Sequence, residues 1–465
     1  MIKFGTSGWR GIIGEDFTFD NVRIASQGIA NYLKKANQKG RGVVIAYDTR
    51  FLSEKFASEA ARILAFNDIQ AYLCTRDVPT PCASFETIRR KAMGAINFTA
   101  SHNPPEYNGI KFSTPDGAPA LPEATERIEA EIEAYDAGRS ANLQKTAPAS
   151  QPLEPKAMYL ARLKEIVDFP AIKKAGLRIG FDPFWGAARG YSDSLLRDSG
   201  VDTFTVHDIR DVMFGGHAPE PDDHLLEELR TGMKEKKAHI GIATDGDADR
   251  FGIVDEDGTF MQPNYIIALL FDYLVESRGW KNGVGKSVAT TNLINTLAKH
   301  HKIELHETPV GFKYIGELIK ADKIVIGGEE SAGLSIRHHV PEKDGVIAGL
   351  LCCEAVACRG KSLGQQLKEL FVKVGSFYPQ RDNFRLTEEV KAKFTEKLRQ
   401  EPKDFYGRKV SEIVRTDGLK LIFADNSWLC YRLSGTEPVV RVYSEAGSPS
   451  ELGKLSSAAK QWIFD

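Results

Sequence analysis

Short apolar runs recur along the chain with polar turns between them. Residues 43–48, 177–182 and 287–290 read as buried strands, because each run is short and is bounded by turn-forming residues. Each leads into a stretch with helical spacing, at 54–66, 187–196 and 293–299. A second strand follows in every case (71–74, 203–207, 303–307), then a loop with proline or glycine, a second helix and a third strand (94–98, 240–244, 324–326). One theme stated three times is a weak internal repeat. Alternating strands and helices predict α/β units, whose ligands collect beyond the carboxyl ends of the strands.

The segments after the third strands differ. The first runs from Thr99 to Phe112 through Ser101, His102, Pro104, Pro105 and Lys111, and is expected to be a loop stiffened by its prolines. The second reads Asp245-Gly-Asp247-Ala-Asp249-Arg250, and the third Gly327-Gly-Glu329-Glu330-Ser331-Ala-Gly333. Corresponding positions in three copies place these loops at one shared cleft. A helix over 121–135 ends in an Ala/Pro/Ser-rich linker up to Pro155, an amphipathic stretch over 158–167 opens the second unit, and a turn at 255–258 closes it. Beyond about Lys373 the pattern changes to short strands (384–386, 419–423, 428–433) around a charged helix. The expected domains are 1–152, 153–256, 257–372 and 373–465: three repeated mixed α/β domains and a smaller α+β domain around a central cleft.

Composition adds exclusions. With 61 basic against 63 acidic residues, the net charge of −2 gives no reason to expect nucleic acid or an anionic membrane as partner. No apolar run approaches the roughly 20 residues of a spanning helix, and the first residues lack the apolar core of a signal peptide, so a cytoplasmic location is expected. The six cysteines form no Cys-x-x-Cys pair and read as reduced thiols.

The aspartate loop is the sharpest local chemistry. In extended backbone, Asp245, Asp247 and Asp249 point to one side. At an effective dielectric near 20, each close pair of like charges costs on the order of 4 kcal/mol, which calls for a cation if the loop is buried. A calcium loop would need glycine where Arg250 stands and helices where strands are expected. Few protein oxygens favour magnesium that keeps water and takes a phosphate ligand. Glu329 and Ser331 suit neighbouring sugar hydroxyls. Arg432, Ser434, Gly435 and Thr436, with Arg441 beyond, form a phosphate cradle without a nucleotide P-loop. Near the N-terminus, Gly5-Thr-Ser-Gly-Trp-Arg10-Gly is a glycine-rich turn with one arginine.

Thr-Ala-Ser101-His-Asn-Pro, Asp245-Gly-Asp-Ala-Asp-Arg, Gly-Glu329-Glu-Ser and Arg432-Leu-Ser-Gly-Thr-Glu-Pro, in that order, resemble the four signature loops of the α-D-phosphohexomutase family, and the resemblance covers essentially the whole chain. It implies a heart-shaped enzyme whose fourth domain is TATA-binding-protein-like, moving phosphate between O1 and O6 of a hexose. It implies Ser101 as phosphoserine, with Ser101, Asp245, Asp247 and Asp249 around Mg²⁺ and a hexose 1,6-bisphosphate as activator. A phosphoserine adds about −1.5 to −2 charge, which Arg10 and Arg250 would help hold. Lys111, His102 and Lys343 are the candidate proton acceptors. Gly311 and Lys313, with the segment around Lys343, are more similar to phosphoglucomutases, which favours glucose phosphate over mannose phosphate and then glucosamine phosphate. A sugar phosphatase and a non-catalytic sugar-phosphate sensor are the alternatives. The expected partners are small sugar phosphates, with the protein a monomer or homodimer.

Overall fold

A computed structural model describes residues 2–5, 8–36, 42–137, 150–434 and 438–465. The strands of the first unit are β1 (Trp9–Ile12), β2 (Val43–Tyr47), β3 (Ala71–Cys74), β4 (Ala95–Phe98), β5 (Tyr107–Ser113) and β6 (Gln151–Leu153). They form one sheet in the order β1-β5-β4-β2-β3-β6. The second unit has β7 (Arg178–Asp182), β8 (Asp202–Thr205), β9 (Ile240–Thr244) and β10 (Phe251–Asp255), ordered β10-β9-β7-β8. The third has β11 (Gly283–Ser287), β12 (Leu305–Thr308), β13 (Ile324–Glu329) and β14 (Gly333–Ile336), ordered β12-β11-β13-β14. Each sheet contains three parallel strands, with the first between the second and third, and an antiparallel strand returns beside the third. The repeat seen in the sequence is therefore a repeat of topology.

Several expected boundaries move. The first strand of the third unit lies at Gly283–Ser287 rather than 287–290. Its glycines look like turn residues, but a Cβ on Gly283 would lie 2.7 Å from the His306 ring and one on Gly285 2.8 Å from Ile324. They are close-packing glycines inside a strand. The helix expected over 187–196 begins only at Ser192, because Gly190 at φ +76° breaks the helical path; before it the Ala187 N–H donates to the carbonyl of Gly246 at 2.9 Å. The segment after Ser101 is shorter than expected: β5 starts at Tyr107, so Lys111 sits on a strand. The linker before Pro155 contains β6, which pairs with β3, while residues 138–149 lie outside the described ones.

The second and third units share one apolar core, in which Ile242 and Phe251 join Val284, Ile326 and Leu350. Helix Gly345–Arg359 bridges them. Asp344 caps it by accepting from the Ile347 N–H at 3.0 Å. Its first turn presses on the aspartate loop: the Gly345 N–H donates to the Ala248 carbonyl at 3.0 Å, and a Cβ there would meet the Arg250 carbonyl at 2.1 Å.

The fourth unit has β15 (Tyr378–Arg385), β16 (Asp404–Phe405), β17 (Arg408–Val414), β18 (Leu419–Phe423), β19 (Trp428–Leu433) and β20 (Val439–Ala446) in an antiparallel sheet, with helices Glu388–Lys397 and Pro449–Phe464 packed on its core. It meets the third unit through Trp428, Cys430 and Tyr443 against Ala289. Buried Glu445 accepts from the Asn292 N–H at 2.9 Å and the Trp428 indole at 2.7 Å. Three mixed α/β domains and an antiparallel C-terminal domain are the fold class expected. Among the described residues all six cysteines are free and only Cys358 is exposed, and no helix is long and apolar enough to cross a membrane.

Candidate active site

Beyond the end of β4, Ser101 adopts φ +52°, a left-handed conformation that a non-glycine residue holds only when its surroundings impose it. Those surroundings come from the loop after β2. The Ser101 N–H donates to Thr99 Oγ1 at 2.8 Å, and Thr99 donates to Asp48 Oδ2 at 2.6 Å. Asp48 pairs with Arg50 at 3.1 Å, both side chains fully buried. Arg50 donates to the carbonyls of Ser101 (2.6 Å), Asn103 (2.6 Å), Pro104 (2.7 Å) and Tyr107 (2.9 Å), while the Phe214 ring from the second unit lies 5.1 Å from its guanidinium. Sequence reasoning missed Asp48 and Arg50. Their signal was two opposite charges directly after a fully apolar strand, at the sheet end where ligands bind.

The Ser101 hydroxyl donates to Asp245 Oδ2 at 2.7 Å, and His102 Nδ1 is 3.2 Å from Ser101 Oγ. The three aspartates converge, but not through extended backbone. The loop is a turn in which the Ala248 N–H donates to the Asp245 carbonyl at 3.0 Å and Ala248 has φ +59°. One oxygen from each of Asp245, Asp247 and Asp249 lies within 4.8 Å of the others, and all three residues are buried. Lys111 Nζ stands 2.6 Å from Asp247 Oδ2 and 2.7 Å from Asp249 Oδ2. Lys343 adds a contact of 3.0 Å to Asp249, and Thr80 donates to Asp247 at 2.6 Å. Among the described residues, Asp247 Oδ1 and Asp249 Oδ1 are buried without a hydrogen-bond partner. Two orphan carboxylate oxygens beside a third carboxylate are a donor set for a hard divalent cation.

Burial and the two neighbouring aspartates push the Asp245 carboxyl well above the usual range. Burial acts the same way on Asp249, but Lys111, Lys343 and Arg250 outweigh it and hold that carboxylate ionised. The opposite balance holds Lys111 and Lys343 protonated: burial lowers each, and the aspartates more than restore it. His102 is driven well below its ordinary value by burial and by Arg250 and Arg10, so its imidazole is neutral. Arg250 donates from its backbone N–H to Asp245 Oδ1 at 2.9 Å and from its side chain to Glu220 at 2.6 Å. Arg10 hydrogen-bonds the Asn103 side chain, at the edge of the serine turn.

Glu329 ends β13, buried, with Oε1 accepting from the Gly311 N–H at 2.6 Å. Burial and then Glu330 raise its carboxyl to about 7. Ser331 is half-buried in the turn after it, and Lys313 lies in the first turn of the helix that Gly311 precedes. In the fourth unit Arg432 and Arg441 face each other across β19 and β20, and Arg432 pairs with Asp417 at 2.8 Å. The Ser434 N–H donates to the Val439 carbonyl at 2.9 Å. Gly435 and Thr436 lie outside the described residues. The structure thus joins Ser101, His102, Lys111, Arg250, Lys343 and the three aspartates in one cluster, with Glu329 and the Arg432 pair as separate groups.

Four family models match in chain order. They are phosphoglucomutase/phosphomannomutase alpha/beta/alpha domain I over residues 1–139, domain II over 157–258, domain III over 262–374 and the C-terminal domain over 383–459. The chain is 30% identical to a phosphoglucomutase of Komagataeibacter xylinus, covering 99% of this chain and 90% of that one. It is 31% identical to a phosphoglucomutase/phosphomannomutase of Thermococcus kodakarensis, covering 96% and 94%. A crystal structure of a Thermus thermophilus protein assigned as a phosphomannomutase superposes with a TM-score of 0.87 at 30% identity, covering 100% and 99%. The chain belongs to the phosphoglucomutase/phosphomannomutase family and is an enzyme of the phosphohexomutase type.

Proposed function

We propose that this family member interconverts hexose 1-phosphate and hexose 6-phosphate through a phosphorylated Ser101, with glucose phosphate as its preferred substrate. The observation that carries this is Ser101 Oγ held 2.7 Å from Asp245 Oδ2, beside two orphan oxygens of Asp247 and Asp249. Asp245, Asp247 and Asp249 would hold Mg²⁺, which supplies positive charge beside the phosphoryl group. In the transfer step a sugar hydroxyl oxygen bonds to phosphorus as the bond from phosphorus to Ser101 Oγ breaks. The hydroxyl proton ends on Ser101 Oγ, giving a hexose 1,6-bisphosphate. That bisphosphate reorients and returns its other phosphate by the reverse step, so a catalytic amount of it activates unphosphorylated enzyme.

His102, neutral and 3.2 Å from Ser101 Oγ, is assigned the proton transfer at that oxygen. Lys111 and Lys343, kept as cations by the aspartates, are assigned to charge neutralisation, together with Arg10 and Arg250. Glu329 and Ser331, with Gly311 and Lys313 adjoining, are assigned to the sugar hydroxyls. Arg432, Ser434, Gly435, Thr436 and Arg441 are assigned to the phosphate that is not reacting.

A coupled assay with glucose 1-phosphate, mannose 1-phosphate and glucosamine 1-phosphate, each with Mg²⁺ and a trace of the corresponding 1,6-bisphosphate, tests this function. Fastest turnover of the glucose ester is expected. Turnover of none would overturn the function, and faster turnover of the mannose ester would overturn the sugar preference alone.

A further inference from the structure

Arg432 and Gly311 belong to different units, and one carboxylate spans the gap between them. Asp417 lies in the turn between β17 and β18, where Gly418 has φ +91° and a Cβ would fall 2.1 Å from the Tyr431 carbonyl. The turn therefore fixes where Asp417 projects. Its Oδ2 takes two partners: Arg432 Nη2 at 2.8 Å and the backbone N–H of Val310 at 3.0 Å. The next N–H along, that of Gly311, donates to Glu329 Oε1 at 2.6 Å. Gly311 has φ +133°, a conformation other residues rarely adopt, so the chain turns immediately after that N–H. Val310 itself packs with Trp428, Cys430 and Tyr443 at the joint between the third and fourth units. Arg432 also retains a buried Nε–H with no partner among the described residues.

We propose that Asp417 is a positioning residue that couples the phosphate grip of Arg432 to the placement of Glu329, so that the non-reacting phosphate raises the rate of transfer as well as binding the substrate. The inference rests on the assignment of Arg432 to phosphate and of Glu329 to the sugar. A phosphate dianion on Arg432 fixes the guanidinium. The shared oxygen of Asp417 transmits that constraint to the 309–310 peptide through the Val310 N–H, and Val310 carries it to the 310–311 peptide, whose N–H holds Glu329. Binding energy from a part of the substrate that does not react is thereby used at the reacting end.

Asp417→Asn keeps an acceptor for the Val310 N–H and removes the charge that pairs with Arg432. With glucose 1-phosphate its kcat should fall by about tenfold while KM moves less than about threefold, the pattern of an interaction made fully only in the transition state. In a double-mutant cycle with Glu329→Gln, the two losses should be less than multiplicative, as for coupled residues. Multiplicative losses, or a KM effect alone, would overturn the coupling. Hydrogen exchange supplies a readout independent of turnover. Inorganic phosphate should slow exchange in the peptide spanning residues 309–314 of the wild-type enzyme and leave it unchanged in Asp417→Ala; equal slowing in both would overturn the proposal. Thermal melts of both variants exclude unfolding as the cause, and Arg432→Met, with Asp417 intact, should abolish the phosphate effect from the other side. Wild-type enzyme that turned over no hexose phosphate would instead defeat the underlying function.

Discussion

The guanidinium of Arg50 donates to the carbonyl oxygen of Ser101 at 2.6 Å, and the same side chain binds three further carbonyls of the turn. The left-handed serine is therefore held from below by a buried cation whose ion-pair partner is Asp48. Replacing Arg50 with Met leaves Asp48 buried without that counter-charge, which costs about 3–5 kcal/mol. Urea unfolding of Arg50→Met should show that loss. Where the variant still folds, kcat should drop about 10²-fold from misplacement of Ser101.

Metal binding should depend on the orphan oxygens. Isothermal titration with Mg²⁺ is expected to show one site in the wild-type protein and none in an Asp247→Asn/Asp249→Asn variant. Chelation should abolish mutase turnover, and added Mg²⁺ should restore it. Equal Mg²⁺ affinity in both proteins would remove the aspartate loop from the metal site.

Glycine at position 345 is a steric requirement, since a Cβ would lie 2.1 Å from the Arg250 carbonyl and 3.1 Å from that of Ala248. Gly345→Ala must push helix Gly345–Arg359 away from the aspartate loop. The expected results are a loss of about 1–3 kcal/mol in stability, typical of overpacking, and weaker Mg²⁺ binding. Unchanged metal affinity would show that the helix end and the loop are not coupled.

Glu329 carries the pH dependence. Its carboxyl is raised from the ordinary 4.5 to about 7, so between those values the folded protein binds more protons than the unfolded one. Its contribution to stability is therefore present below pH 4.5 and is lost as pH rises through 7. Glu329→Gln should flatten that part of the stability profile. The ionised form is the better acceptor for sugar hydroxyls, so kcat/KM should rise through about pH 7 in the wild type, and this limb should disappear in Glu329→Gln. The substrate phosphate titrates near 6 in both proteins, so the comparison isolates the side chain.

Topology was readable in the sequence because buried strands and polar turns alternate on a short period, and the repeat made each unit evidence for the others. The boundaries that moved did so for reasons of packing and backbone: Gly283 and Gly285 are small to admit neighbouring side chains, and Gly190 turns left-handed before the helix at Ser192. The chemistry-bearing loops could be picked out because acids and hydroxyls stand directly after apolar runs. Asp417 follows no motif, and the charges of Asp48 and Arg50 after β2 mark a loop without saying what it holds. Their roles arise from carbonyls and guanidinium groups brought together over long sequence separations, and single-chain patterns carry no record of those contacts.

The most direct test is the mass of the intact protein after incubation with glucose 1,6-bisphosphate. If Ser101 is a covalent phosphate shuttle, the wild-type protein gains the mass of one phosphoryl group, located on Ser101 by peptide fragmentation and lost on incubation with excess glucose 1-phosphate. Ser101→Ala should show neither the added mass nor mutase turnover. Full mutase activity in Ser101→Ala, or a phosphoryl group carried elsewhere in an active wild-type enzyme, would contradict it.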